Sequence, residues 1–181
     1  MTKTITLAIT GSISAYKAAD ITSCLTKLGY EVHVLMTQSA CQFITPLTLQ
    51  SLSKNSVHTE LLSETNPKII NHIDLAKKTD LFLIAPATAN TIAELSYGFA
   101  NNIVTAVALA LPKNTLKLIA PAMNTNMYLN PITQKNLKIL KTELDYEEIC
   151  PKNSLLACGD VGIGALAPIE TIITTIQEKL V

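Results

Sequence analysis

Two short, largely apolar runs, Leu81–Ala85 (LFLIA) and Leu116–Ala120 (LKLIA), constrain the fold of this chain most strongly. A strand that reads apolar without alternation needs cover on both faces, which a parallel sheet between two helix layers provides. The rest of the sequence keeps the same rhythm. Thr4–Thr10 is β-branched and apolar, and Glu31–Met36 reads as a second strand. Between them Ala15–Leu28 carries Ala18, Ile21, Leu25 and Leu28 at helical spacing, with Gly29 placed to end the helix. Further helical patterns cover about Thr88–Tyr97 and Asn102–Leu111. Asn130-Pro131 opens another, running to about Lys141, as an N-cap followed by proline at the first helical position. A last helix starts at Pro168 and places Ile169, Ile172, Ile173, Ile176 and Leu180 on one face. Strand–helix alternation of this kind predicts a doubly wound α/β fold: a parallel sheet in a three-layer α/β/α arrangement, forming a single domain over residues 1–181. Ligands in such folds bind at the carboxyl ends of the strands.

Composition narrows the function. Fourteen basic residues balance fourteen acidic ones, so there is no basic excess for non-specific nucleic-acid binding. The basic residues are all lysines; the chain has no arginine. The longest apolar stretch, Ile103–Leu111, is far short of a membrane span. The amino-terminal MTKTITLAIT has no long apolar core and reads as a strand, not a signal peptide. Cys24, Cys41, Cys150 and Cys158 show no paired spacing, which disfavours a metal site or a disulfide framework and points to the cytoplasm. Charged residues are only 15% of a chain that is 48% apolar, against roughly 25% charged in an ordinary domain. Burial between subunits would account for part of the missing polar surface. Ile103–Leu111, apolar all round, is expected in the core or against another subunit.

The chemically distinctive segments follow the predicted strands. Gly11, Ser12 and Ser14 open the first helix with a close-approach glycine and two hydroxyls, which favours a phosphate. The pattern is not G-x-G-x-x-G, and no acidic residue closes the second strand; Thr37 and Ser39 stand there instead. This disfavours a dinucleotide and suggests a mononucleotide such as FMN. The plainer reading is an N-cap serine beside a turn glycine. After the third strand, Thr88, Asn90 and Thr91 lie among small residues that admit a flat ring, although a capping threonine would look the same. After LKLIA, Asn124 offers a donor and an acceptor between Met123 and Met127, whose side chains suit either a wall over a ring or ordinary packing. Late in the chain, Gly159, Gly162 and Gly164 gather three of the six glycines behind Cys158. This reads as a loop that could act as a lid, with a thiol placed to transfer a proton, or as a tight turn with an incidental cysteine. Cys24 and Cys41 read as inert packed thiols.

Taken in order, GSISAYK, MTQSA, His72 in HIDLAK, APATANTIAEL, PAMNTNM and LACGDVGIG resemble the flavin-dependent cysteine decarboxylases, particularly the stand-alone bacterial form that acts on phosphopantothenoylcysteine in coenzyme A biosynthesis. The similarity runs from Thr4 to about Pro168, and PAMN-x-x-M together with ACGD-x-G-x-G is its most specific part. It implies a Rossmann-like (flavodoxin-like) fold and FMN held by Gly11, Ser12, Ile13, Thr37, Ser39, Thr88, Ala89, Asn90, Thr91 and Ala122. It implies His72 as the catalytic histidine, Asn124 on the substrate carboxylate and Cys158 as the proton donor on a closing flap. Met127 and Lys77 would join Asn124 in binding the substrate. In such enzymes the flavin oxidises the thiol-bearing carbon to a thioaldehyde, CO₂ leaves to give an enethiol, and the hydride returns with a proton, yielding 4′-phosphopantetheine. The resemblance further implies a trimer with FMN at the subunit interface, which bacterial forms can assemble into a dodecamer, and a separate phosphopantothenoylcysteine synthetase. Two departures stand out. Ala165-Leu166 replaces the family's frequent Arg-Met after the flap, and Lys77 replaces an arginine found in some relatives. The competing readings are a peptidyl-cysteine (lantibiotic-type) oxidative decarboxylase, a flavin prenyltransferase and a non-catalytic FMN-binding regulatory subunit. The intact flap argues against the first, the PAMN and ACGD segments against the second, and the absence of acidic extensions against the third.

Overall fold

A computed structural model of the protein describes residues 2–62, 71–157 and 159–180. Its centre is a six-stranded, all-parallel sheet in the order β3-β2-β1-β4-β5-β6. The strands are β1 (Thr4–Ile9), β2 (Glu31–Met36), β3 (Val57–His58), β4 (Leu81–Ala87), β5 (Leu116–Pro121) and β6 (Tyr146–Glu148). The strand order reverses between β1 and β4, which creates a crevice at their carboxyl ends. The sequence prediction of a doubly wound α/β sheet is thus borne out.

The two apolar faces of the central strands explain the layers. In β4, Leu81, Leu83 and Ala85 enter one core while Phe82 and Ile84 enter the other, following the period of two along a strand. The first core is covered by α1 (Ala18–Lys27), α2 (Pro46–Ser53) and α8 (Ile169–Lys179), through Ile21, Leu25, Leu49, Ile172 and Ile176. The second is covered by α3 (Asn71–Lys78), α4 (Ala89–Ser96), α5 (Ile103–Ala110) and α7 (Pro131–Glu143), through Leu75, Ile92, Val104, Leu137 and their neighbours. A short 3₁₀ turn, Ile13–Lys17, precedes α1, and a five-residue helix α6 (Thr125–Leu129) follows β5. Among the described residues, no helix is long and apolar enough to cross a membrane.

One sequence reading is corrected. The glycine-rich segment is not a free loop: Val161–Ala165 forms strand β8, paired antiparallel with β7 (Lys152–Leu155) in a separate hairpin. α5 is buried from Ile103 to Val107, but Leu109 is 63% exposed. The helix therefore enters the core by its first turns only and leaves an apolar end at the surface. Its start is fixed by a capping box, in which the Asn102 side chain accepts from the Thr105 N–H and the Thr105 hydroxyl accepts from the Asn102 N–H.

A partly buried network anchors α6 to the sheet edge. The Tyr128 hydroxyl donates to Glu148 at 2.8 Å, and Lys141 donates to the other Glu148 oxygen at 2.7 Å. Burial, and then the Glu148 carboxylate, hold the Tyr128 phenol protonated well above its ordinary range. Gln134 donates to the Tyr128 carbonyl at 2.6 Å, tying the end of α6 to α7.

Candidate active site

The loops after β1, β2, β4 and β5 converge on a cavity of about 880 Å³ at the switch point. That size lies within the usual range of small-molecule and cofactor sites. Thr10, almost fully buried, joins the β1 and β4 loops. Its hydroxyl donates to the Pro86 carbonyl at 2.7 Å and accepts from the Thr88 N–H at 3.0 Å. Ser12 caps the 3₁₀ turn by accepting from the Ser14 N–H at 3.3 Å. Thr37 caps the turn after β2 by accepting from the Ala40 N–H at 3.2 Å. Gly11 lies so close to Ser39 that a Cβ at position 11 would collide with the Ser39 Cβ. The glycine is therefore required by the approach of two loops.

Thr88 is the N-cap of α4 and accepts from the Thr91 N–H at 3.2 Å. Asn124 caps α6, its side-chain oxygen accepting from the Asn126 N–H at 2.8 Å. That bond orients the amide, and its Nδ2 donates to the Asp160 carboxylate at 3.5 Å. The β7–β8 hairpin is seated on this same segment. The Met123 N–H donates to the Gly164 carbonyl at 2.9 Å. A Cβ at Gly162 would strike Thr125, and one at Gly164 would strike the Met123 carbonyl oxygen. The glycines of the hairpin thus let two backbones meet.

The cavity brings together Gly11, Ser12, Ile13, Thr37, Ser39, Thr88, Ala89, Asn90, Thr91, Ala122, Asn124 and Met127. It does not bring in His72 or Lys77. Both stand on α3, which packs on the second core; Lys77 is exposed in the last turn, and His72 is half-buried with its Nδ1 lacking a hydrogen-bond partner. Cys158 lies outside the described residues. Cys24 and Cys41 are half-buried, and burial, then the Glu60 carboxylate, push the Cys41 thiol up, in keeping with an inert group.

Sequence reasoning missed several lining residues: Tyr16, Lys17, Glu94, Asn102, Lys152 and Ser154. Glu94 follows Thr91 by three positions on α4, so helical spacing from the APATANT segment carried the signal. Its carboxylate accepts from Asn101 at 3.3 Å and from Asn102 at 3.2 Å. Lys152 and Ser154 alternate along β7 and so share one face. Among the described residues, the cavity's charged lining is sparse: Lys17, Lys152 and Glu94.

A family profile described as Flavoprotein matches residues 1–181. A probable phosphopantothenoylcysteine decarboxylase from Streptococcus mutans is 63% identical over 180 residues, covering 99% of this chain and 100% of the relative. The coenzyme A biosynthesis bifunctional protein CoaBC of Bacillus subtilis is 43% identical over 97% of this chain, which spans 43% of that relative's length. Among solved structures, a cysteine-to-serine mutant of PPC decarboxylase complexed with pantothenoylaminoethenethiol superimposes with a TM-score of 0.91 at 31% identity, covering 99% of each chain. The FMN binding protein AtHal3 gives a TM-score of 0.85 at 32% identity, covering 99% of this chain and 97% of its own.

Proposed function

The chain belongs to the flavoprotein family and, within it, to the phosphopantothenoylcysteine decarboxylases, and we propose that it converts 4′-phosphopantothenoylcysteine to 4′-phosphopantetheine with bound FMN, as a step of coenzyme A biosynthesis. One observation carries this reading: the cavity at the switch point joins a hydroxyl-lined cradle to an oriented asparagine amide under a seated hairpin. The bifunctional relatives support a functional link to a phosphopantothenoylcysteine synthetase.

The residues present fit FMN. Gly11 cannot carry a Cβ, so the β1 loop offers backbone at close range, beside the Ser12, Thr37 and Ser39 hydroxyls. These would take the flavin phosphate and ribityl chain. Thr88, Asn90 and Thr91 would hydrogen-bond the ring, and Ala89 and Ala122 leave room beside it. When bound, FMN supplies the two-electron chemistry by which the thiol-bearing carbon is oxidised and later reduced.

The protein's own groups position the substrate and carry its protons. Asn124 Nδ2 already meets a carboxylate in Asp160, which stands in for the substrate carboxylate it would bind. Met123 and Met127 give this end an apolar wall. Such a wall favours losing the carboxylate's charge as CO₂ over keeping it. Cys158 would supply the closing proton.

His72 stands away from the cavity of its own chain, and large apolar side chains are exposed at the cavity's rim: Ile13 at 57%, Tyr16 at 56% and Met127 at 50%. Both observations support a trimer in which α3 of one subunit completes the site of the next. Sedimentation is expected to give at least three times the 19.5 kDa chain mass. Reassembling a mixture of inactive His72→Asn and Asn124→Ala subunits is expected to restore part of the activity. A monomer, or no restoration from mixed oligomers, would overturn the shared site.

The function itself is tested by purification and turnover. A yellow protein is expected to release one CO₂ per 4′-phosphopantetheine formed, with its flavin oxidised at the end. A colourless protein, or one that releases no CO₂ from this substrate, defeats the assignment. Turnover ending at the enethiol favours the peptidyl-cysteine type of chemistry instead.

A further inference from the structure

Building on the function proposed above, we infer that Lys152, with Ser154 beside it, receives the substrate's 4′-phosphate, so that the β7–β8 hairpin selects phosphorylated over unphosphorylated substrate. The reaction takes place at the cysteinyl end of the substrate. Its phosphate is remote from the bond that breaks and is held alike before and during reaction, so the energy of binding it appears in KM.

The cavity must therefore hold two phosphates, the flavin's and the substrate's, and the chain has no arginine for either. Among the described residues that line it, Lys17 and Lys152 are the cations. They belong to different walls. Lys17 ends the 3₁₀ turn that Ser12 opens, beside the proposed flavin phosphate cradle, and its ammonium lies 5.8 Å from the centre of the Tyr16 ring. Lys152 stands on the hairpin, and among the described residues no carboxylate forms an ion pair with it.

Strand geometry turns Lys152 toward the ligand. Lys152 and Ser154 are two residues apart in β7, so they point to the same side, and both line the cavity. Lys152 is in register with Ala165, next to Gly164, whose carbonyl accepts from the Met123 N–H. The lysine is thus anchored one position from where the hairpin meets the Asn124 segment. The Lys152 ammonium suits a phosphate dianion as a point charge, with no bidentate fork required; the Ser154 hydroxyl, which donates to the Leu155 carbonyl at 3.2 Å, joins it by turning its proton to the phosphate.

The test uses the flavin-loaded enzyme with 4′-phosphopantothenoylcysteine and with pantothenoylcysteine. The wild type is expected to favour the phosphorylated substrate in kcat/KM. Lys152→Ala is expected to cut that preference tenfold or more, through KM and not kcat, and Lys152→Arg to keep most of it. Calorimetry gives a second readout: holoenzyme with Lys152→Ala should lose its preference for 4′-phosphopantetheine over pantetheine. An unchanged preference in Lys152→Ala overturns the inference. So does a wild type indifferent to the phosphate, a loss seen in Lys17→Ala instead, or a Lys152→Ala enzyme that loses its flavin. A wild type that decarboxylates neither compound defeats the function itself; one that turns over normally while Lys152→Ala keeps the preference defeats only this assignment.

Discussion

Gly164→Ala is expected to lower kcat/KM at least a hundredfold while the protein remains folded and yellow. Gly164 has φ of 149°, a conformation that costs other residues about 1–3 kcal/mol. Its added Cβ would fall on the Met123 carbonyl oxygen, which is backbone and cannot swing aside as a side chain would. The hydrogen bond from the Met123 N–H to the Gly164 carbonyl would open, and the hairpin would lift from the segment that carries Asn124. A displacement of about 1 Å in a positioning element is enough for a roughly hundredfold loss. Flavin binding should survive, because the residues proposed to hold it belong to the loops after β1, β2, β4 and β5. Gly159→Ala provides the comparison: φ is 91° there, but nothing lies within 4 Å of the added Cβ, so strain acts without collision and the loss should be smaller. Steady-state kinetics with the visible flavin spectrum separate the two effects. A fully active Gly164→Ala enzyme would show that the seat of the hairpin does not matter.

The same hairpin marks where the sequence stopped being readable. LFLIA and LKLIA announced buried parallel strands because both faces of each must be apolar, and Leu81, Leu83, Phe82 and Ile84 divide between two cores accordingly. The loops of the cavity were legible for a related reason. In a doubly wound sheet they must follow the strands' carboxyl ends, and small or hydroxyl residues there are unusual enough to notice. The glycine cluster was ambiguous, because a missing side chain can mean freedom of the backbone or a close neighbour. Only the positions of Met123 and Thr125 decide between them, and those lie some forty residues away in sequence. β7 (KNSL) lacks the apolar alternation that identifies a strand, since its partner is a single strand and not a core. Glu94 and Lys152 were missed because a charge that faces a cavity has the same sequence appearance as one that faces water. The low overall charge has a partial structural counterpart in Leu109, Ile13 and Met127, apolar side chains that this chain does not itself cover.

Cys158→Ser is expected to separate CO₂ release from the formation of 4′-phosphopantetheine. On the proposed route, decarboxylation of the oxidised substrate needs a place for the electron pair, which a thioaldehyde carbon–sulfur bond would provide, and it needs no proton donor. The reductive half does: carbon must receive a proton as the hydride returns. A thiol, with an ordinary pKa of about 8.5, is acidic enough for this near neutral pH, whereas the alcohol of serine is not. A positioned acid contributes roughly 10²–10⁴-fold to such a step. Phosphopantetheine formation should therefore fall at least a hundredfold while CO₂ still appears, and mass spectrometry should find a product lighter by two hydrogens. Cys150→Ser supplies the control for thiol chemistry in general: Cys150 is exposed and lies apart from the residues that line the main cavity, so its loss should leave the product ratio unchanged. Normal phosphopantetheine yield from Cys158→Ser would move the closing proton to another group. Asp160, which meets the Asn124 amide at the cavity's edge, would then be the first carboxyl to replace.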